Sequence, residues 1–425
     1  MQLINSIVKN HIRTFSVLVS ITFVNAVLGI LTTIKLANIL GPTSYGEIVY
    51  GFALGGMLSV IIRFGTDKSL VREYIYSPEN VARVFVIVNW LKLIIFTIVT
   101  LISIIWLVFD VELNISLVTV IVSCGVAVSG FQMQSIYDAK KKTTIHARFF
   151  LIHRVFYFSC VWFVIIFFQD VFTNMIPAIF SVIAVLIYLS LQYQGALKLM
   201  KIKSFKFCLK DLKGIVNNNW LFAISSILVI GVTSVSQIII VNKIDLAALG
   251  VYGVCFQFVS LASIVVKQVS RVGKRELILA IKENKINIGL LILIYVSFIM
   301  LSISPIALVC ILFSKYILTN LFGVEYLSGV PLLKIMGFYI FTHAFMIAVE
   351  QIAIAVGLRA TNLVANGVNG IIVCGVSFLF ISKLGSEAVA LALVYGSISA
   401  SIVTLIFILN KKYKRTGKKL YSNNM

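Results

Sequence analysis

Thirty of the 36 Lys and Arg residues in this 425-residue chain fall on alternate connections between long apolar stretches. One set of ends and connections holds Lys9 and Arg13, clusters at 63–83, 140–154, 198–213 and 267–285, then Arg359 and the tail 411–419. The other set, with its adjoining helix ends, holds only Lys35, Lys243, Lys315, Lys334 and Lys383. Lys92 alone falls inside a stretch. Basic residues are retained on the cytoplasmic side of a membrane, so the alternation fixes an orientation as well as a class. It predicts a multi-pass membrane protein with an even number of spans and both termini in the cytoplasm.

Composition agrees. Hydrophobic residues make up 60% of the chain and the mean hydropathy is +1.05, which leaves no room for a water-soluble domain of ordinary size. A spanning helix takes about 20 residues, and twelve fit: 14–38, 44–64, 84–109, 113–137, 147–168, 171–195, 217–242, 246–270, 287–313, 328–356, 361–382 and 387–410. The run from Phe15 to Ile34 is too long for a signal-peptide core and no small-x-small site follows, so an uncleaved first span is expected. A net charge of +21 invites a nucleic-acid reading. Its placement at the ends of apolar helices points to anionic lipid headgroups instead. The cysteines (Cys124, Cys160, Cys208, Cys255, Cys310, Cys374) are scattered without paired spacing and read as packing residues, not metal ligands. Pro177 and Pro305 are expected to kink spans six and nine.

The expected organisation is an N-terminal lobe (1–197), a basic linker (198–214), a C-terminal lobe (215–410) and a basic tail (411–425). In the linker Ile202, Phe205, Leu209 and Leu212 recur at helical spacing beside Lys203, Lys206, Lys210 and Lys213. That pattern is an amphipathic helix on the inner leaflet. The two halves repeat each other: Lys35-x9-Tyr45-Gly46 is answered by Lys243-x8-Tyr252-Gly253, and Arg72-Glu73 by Arg275-Glu276. Each half has an even number of spans, so the copies share an orientation, with a substrate path expected between them.

The run Asn38-Ile39-Leu40-Gly41-Pro42-Thr43-Ser44-Tyr45-Gly46, then Phe64-Gly65 and Leu70-x-Arg72, resembles the polysaccharide-exporter (O-antigen flippase) branch of the multidrug/oligosaccharidyl-lipid/polysaccharide superfamily. Leu249-Gly250-x-Tyr252 and Leu321-Phe322-Gly323-x-Glu325-Tyr326 in the second half fit the same family. The resemblance implies an all-α fold of twelve transmembrane helices in two six-helix lobes, MATE-like, around a central cavity. It also implies a bacterial inner-membrane location and transport of undecaprenyl-pyrophosphate-linked oligosaccharide from the inner to the outer leaflet. A polysaccharide polymerase and a chain-length regulator would be its partners. No cofactor is expected beyond H+ or Na+ coupling.

Charge in hydrocarbon costs at least about 2.5–3.5 kcal/mol at the centre. The basic residues within or near spans therefore stand out: Lys92 in mid-span, Lys35, Lys243 and Lys334 near outer ends, and Arg63, Arg154 and Lys267 near inner ends. Each end-located residue either snorkels to headgroups or lines a cationic cavity for pyrophosphate. Lys92 is the strongest cavity candidate. Glu350 either pairs with a cavity lysine, titrates in ion coupling or faces inner headgroups. Asn25, Asn89, Gln132, Gln237 and Asn366 bind sugar hydroxyls or join helices. The rival readings are a drug/cation exporter of the same superfamily and a membrane glycosyltransferase or polymerase. The exporter calls for buried carboxylates, which span one lacks; the enzyme would use Asp110-x-Glu112 in a short outer loop.

The topology is directly testable. A fluorescent protein that folds only in the cytoplasm should light up when fused after residue 425, and an alkaline phosphatase fused there should be inactive. The reverse pattern contradicts the orientation.

Overall fold

The computed structural model describes residues 2–67, 70, 81–109, 116–140, 142–168, 173–200, 209–283, 288–355, 358 and 361–422. The linker segment 201–208, Asp110-x-Glu112, Arg72-Glu73 and Arg359 lie outside these. All regular structure among the described residues is helical. In chain order the α-helices are α1 (Gln2–Arg63), α2 (Val81–Phe109), α3 (Leu117–Val128), α4 (Gln134–Ala139), α5 (Thr143–Phe167), α6 (Met175–Met200) and α7 (Leu209–Lys243). There follow α8 (Leu246–Glu283), α9 (Ile288–Leu312), α10 (Ser314–Ile317), α11 (Val330–Ala355), α12 (Thr361–Leu384) and α13 (Ser386–Ser422).

Eleven helical stretches are long and apolar enough to cross a bilayer. The first, Ser20–Arg63, has 44 residues, about 66 Å of helix against a hydrocarbon core of roughly 30 Å. It is two spans, broken at Gly41 with φ 71° and ψ 173°, so the described residues hold the twelve spans expected from the apolar stretches. Only glycine takes that conformation without a Cβ clash. Pro42 then opens the second arm, where its missing N–H has no helical partner to lose. Leu40-Gly41-Pro42 is thus a folding element. The matching connection in the second half is built differently. α7 stops at Lys243, and Asp245 accepts a hydrogen bond from the Ala248 amide (2.7 Å), capping α8.

The other residues that carry the family likeness also shape the backbone. Phe64 (φ 47°) and Gly65 (φ 66°) terminate α1, and Gly65 seats against Phe222, whose Cβ would lie 2.7 Å from a Cβ at position 65. Gly323 (φ 96°) separates a π turn at Leu318–Phe322 from a 3-10 turn at Val324–Gly329. Buried Phe322 and Tyr326 pack across it with ring centroids 6.0 Å apart. Gly51 and Gly55, one turn apart, let α1 close on α3: a Cβ at either would come within 2.6 Å of Val122 or Val126.

Pro177 corrects an expectation. It is the third residue of α6, in the first turn where the amides have no helical acceptor, so it breaks no ladder bond and gives no mid-span kink. Pro305 does lie inside α9.

The chain divides into two compact units, Met1–Ser234 and Val235–Met425. The division falls inside α7, beyond the 198–214 linker, because the start of α7 packs with the first unit through Ile215 and Phe222. That unit centres on Phe85, Val88, Met133, Ile136 and Tyr137. The second buries Tyr252, Ile299, Ile303, Tyr326 and Leu332.

Replacing Gly41 by Ala forces a side chain into the sparsely allowed region, at about 1–3 kcal/mol. Gly41→Ala should lower the thermal midpoint and the monodisperse yield in detergent. Gly56→Ala, where a Cβ meets nothing within 4 Å, should leave both unchanged; equal behaviour of the two variants contradicts the bend's role.

Candidate functional site

The first unit concentrates its buried charge in two places. One lies at the end of α1. Lys92 on α2 is buried (2% exposed), with its Nζ 4.0 Å from Asp67 Oδ1 and donating to the Gln132 carbonyl at 3.4 Å. Arg63, the last residue of α1, donates to Ser59 Oγ at 2.9 Å. With the Gln132 amide turned so that its oxygen faces the guanidinium, it accepts from Arg63 Nη1 (2.7 Å) and Nη2 (3.2 Å). Ser59 in turn meets Ser129 at 3.2 Å. Lys92 was expected to hold its charge in mid-membrane. Side chains on a helix lean toward its N-terminus, and α2 starts at the basic-loop end, so the ammonium reaches back to Asp67. Gln132, expected to meet sugar hydroxyls or to join helices, clasps Arg63 of α1.

The second place is Arg154. α5 begins at Thr143, so Arg154 is deeper than its expected position near the basic-loop end: about 16 Å along a helix of roughly 37 Å. Its guanidinium crosses α1 at Gly29, where a Cβ would come within 2.6 Å of Nη2. Tyr45 and Tyr157, both buried, are its electrostatic neighbours. Its Nε is buried without a partner, and among the described residues no carboxylate pairs with it. Asn25, one turn before Gly29 on the same face, is buried with Oδ1 also unpartnered. Lys92 and Arg154 each lie eleven residues into their helices, and Arg154 is the one with no carboxylate beside it.

The opposite ends of the two units carry matched contacts. Lys35 Nζ on α1 lies 5.8 Å from the Trp162 ring centre on α5. Lys243 Nζ on α7 lies 5.0 Å from the Phe378 ring centre on α12. These are spans one and five in one half and seven and eleven in the other, the same pair under the internal repeat. A cation over an aromatic face gains about 0.5–2 kcal/mol. Lys334 is exposed on α11, and Lys267 belongs to α8 with its side chain outside the described residues.

Asn89 on α2 donates to the Phe85 carbonyl (2.9 Å) and lines a cavity of ≈ 310 Å³ with Trp90, Leu93 and Tyr193. Gln237 is partly buried on α7, and Asn366 is buried on α12. In the second unit Glu350 Oε1 accepts from Asn362 Nδ2 at 2.8 Å, tying α11 to α12. No group of three His, Cys, Asp or Glu residues that could hold a metal occurs among the described residues. The sequence reading passed over Asp67, whose signal is a lone acid four residues beyond Arg63. It also passed over His146 and His153, seven apart on α5.

Residues 12–271 match the family described as polysaccharide biosynthesis protein. No curated protein matches the chain in sequence. Among solved structures, a multidrug resistance MATE family transporter of the MOP superfamily, inward-facing, superposes with a TM-score of 0.74 at 14% identity, covering 95% of this chain and 99% of its own. The lipid II flippase MurJ in an inward closed conformation gives 0.73 at 17% identity, covering 92% and 87%. The fold is thus all-α, polytopic and MOP-like. Matched over more than half its length, the chain belongs to the polysaccharide biosynthesis protein family.

Proposed function

We propose that the chain is a flippase that moves undecaprenyl-pyrophosphate-linked oligosaccharide repeat units from the inner to the outer leaflet of the bacterial plasma membrane by alternating access. It would serve O-antigen, capsule or exopolysaccharide synthesis, with a polymerase and a chain-length regulator acting on its product. Family membership and a fold shared with a lipid II flippase support this. The observation that carries the substrate class is Arg154. A guanidinium with a buried, unpartnered Nε and no carboxylate in reach is costly unless an anion or water completes it. A pyrophosphate oxygen supplies that partner, and the nearby Asn25 amide suits a sugar hydroxyl.

Cation export would need free carboxylates. Within the first unit Asp67 faces Lys92, and Glu47 accepts a hydrogen bond from Asn174. In the second, Glu350 is held by Asn362. Each of these acids has a cation or an amide beside it, whereas no carboxylate among the described residues pairs with Arg154.

In a deletion strain, lipid-linked repeat units should accumulate on the inner leaflet and surface glycan should vanish. Arg154→Ala should fail to restore export at normal expression, by about 10- to 150-fold for the loss of a charged hydrogen bond of roughly 1.5–3 kcal/mol. Arg154→Lys should recover part of it. Full export by Arg154→Ala would remove Arg154 from the site.

Lys92 and Asp67 behave as a pair. Lys92→Met and Asp67→Asn should each lower the thermal midpoint, and the double variant should be more stable than the two single losses add up to, with a coupling of about 0.5–3 kcal/mol. Simple additivity would show that the two charges do not support each other.

A further inference from the structure

α5 holds two of the chain's four histidines. His146 and His153 are seven residues apart, on one face and about 10.5 Å apart along the axis. Both stand against one side chain of α6: the Tyr188 ring centre lies 6.0 Å from His146 and 5.5 Å from His153. The Tyr188 hydroxyl and His146 Nε2 are 3.0 Å apart. Phe150 stacks on His153 with ring centres 5.6 Å apart, and His153 Nδ1 is buried with no partner. The ionisable groups around the two rings are Tyr137 on α4, whose ring lies 5.8 Å from His146, Tyr188 on α6, and Arg154 on α5 itself. Beyond them are Arg63 of α1, within electrostatic reach of Tyr188, and Tyr45 and Tyr157, which face Arg154. None of these neighbours is a carboxylate.

Packing alone does not call for this arrangement. Phenylalanine or leucine would fill the same wall of α5 without leaving a ring nitrogen unsatisfied, which costs about 1–3 kcal/mol. In the tautomer protonated at Nε2, His153 Nδ1 carries a free lone pair, one residue from a cation whose own Nε lacks a partner. A proton there adds a second positive charge beside Arg154, unfavourable with the site empty and favourable with an anion present. His146, in the first turn of α5 beside the basic loop Lys140–Lys142, places the other end of the cluster near water.

We propose that His146 and His153, bridged by Tyr188, form a proton-binding site linked to anion binding at Arg154. The inference rests on Arg154 as an anion contact and adds a second ligand, the proton, to that site. Linkage is reciprocal: the proton tightens the anion by the same factor by which the anion tightens the proton.

The full chain in detergent can be tested with sulfate, whose charge is constant across the relevant pH range. With ¹³C-labelled histidine, the resonances lost in His146→Gln and His153→Gln should titrate, and their midpoint should move up on adding sulfate. Sulfate should bind about tenfold tighter at the acidic end, and its addition near the titration midpoint should draw up to about half a proton from a weakly buffered solution. His343→Gln should leave that uptake unchanged; the double variant His146→Gln/His153→Gln should abolish it. Sulfate binding measured by calorimetry without proton uptake, or with the same uptake in the double variant, overturns the linkage while leaving Arg154 as an anion contact. Absence of sulfate binding at any pH removes the anion site and the linkage with it.

Discussion

Hydrocarbon offers neither hydrogen bonds to a backbone nor solvation to a charge, and both refusals shape this chain. The first forces every span into a helix and confines bends to places where the released groups are otherwise met. Here the bends are bought with glycines of positive φ, at Gly41, Gly65 and Gly323, and with an aspartate cap at Asp245. The second refusal means that each cation away from headgroups needs a partner. Lys92 has Asp67, Arg63 has Ser59 and Gln132, and Lys35 and Lys243 have aromatic faces. Arg154 keeps an unsatisfied Nε. Arg63 shares an unpartnered Nε but has Asp67 within electrostatic reach, so the functional reading follows from Arg154 as the buried guanidinium with no carboxylate beside it among the described residues.

The motifs that identify the family turn out to be folding motifs. Leu40-Gly41-Pro42 turns the chain between spans one and two, Phe64-Gly65 ends span two, and Phe322-Gly323-x-x-Tyr326 packs a turn ahead of span ten. The proposed anion contact, Arg154, lies outside these motifs on α5. The repeat between halves shows the same split. Lys35–Trp162 and Lys243–Phe378 preserve a contact between equivalent spans, whereas Arg154 in the first half and Glu350–Asn362 in the second give the two units opposite polar interiors.

Span count, helix class and internal repeat were legible because they follow from length, hydropathy and charge, which are properties of single segments. Depth was harder. Arg154 lies deeper than hydropathy suggests because α5 starts at Thr143, and the meeting of Lys92 with Asp67 is not visible in hydropathy. Pro177 was misjudged for the same reason: a shift of a few residues in the start of α6 moves a proline from a kink to a harmless first turn. The partners of the buried charges were the least legible. Asp67, Gln132 and Tyr188 meet theirs from other helices, and only packing brings those pairs together.

The central claim is that this transporter fold handles a lipid-linked anionic glycan. Its most direct measurement is transbilayer movement in proteoliposomes holding the purified chain and a fluorescent undecaprenyl-pyrophosphate-linked oligosaccharide, followed by quenching from one side. The account predicts protein-dependent exposure of the trapped glycan that slows sharply with Arg154→Ala and is competed by unlabelled lipid-linked sugar. Exposure no faster than in protein-free vesicles, with efflux of a cationic dye in its place, would contradict it.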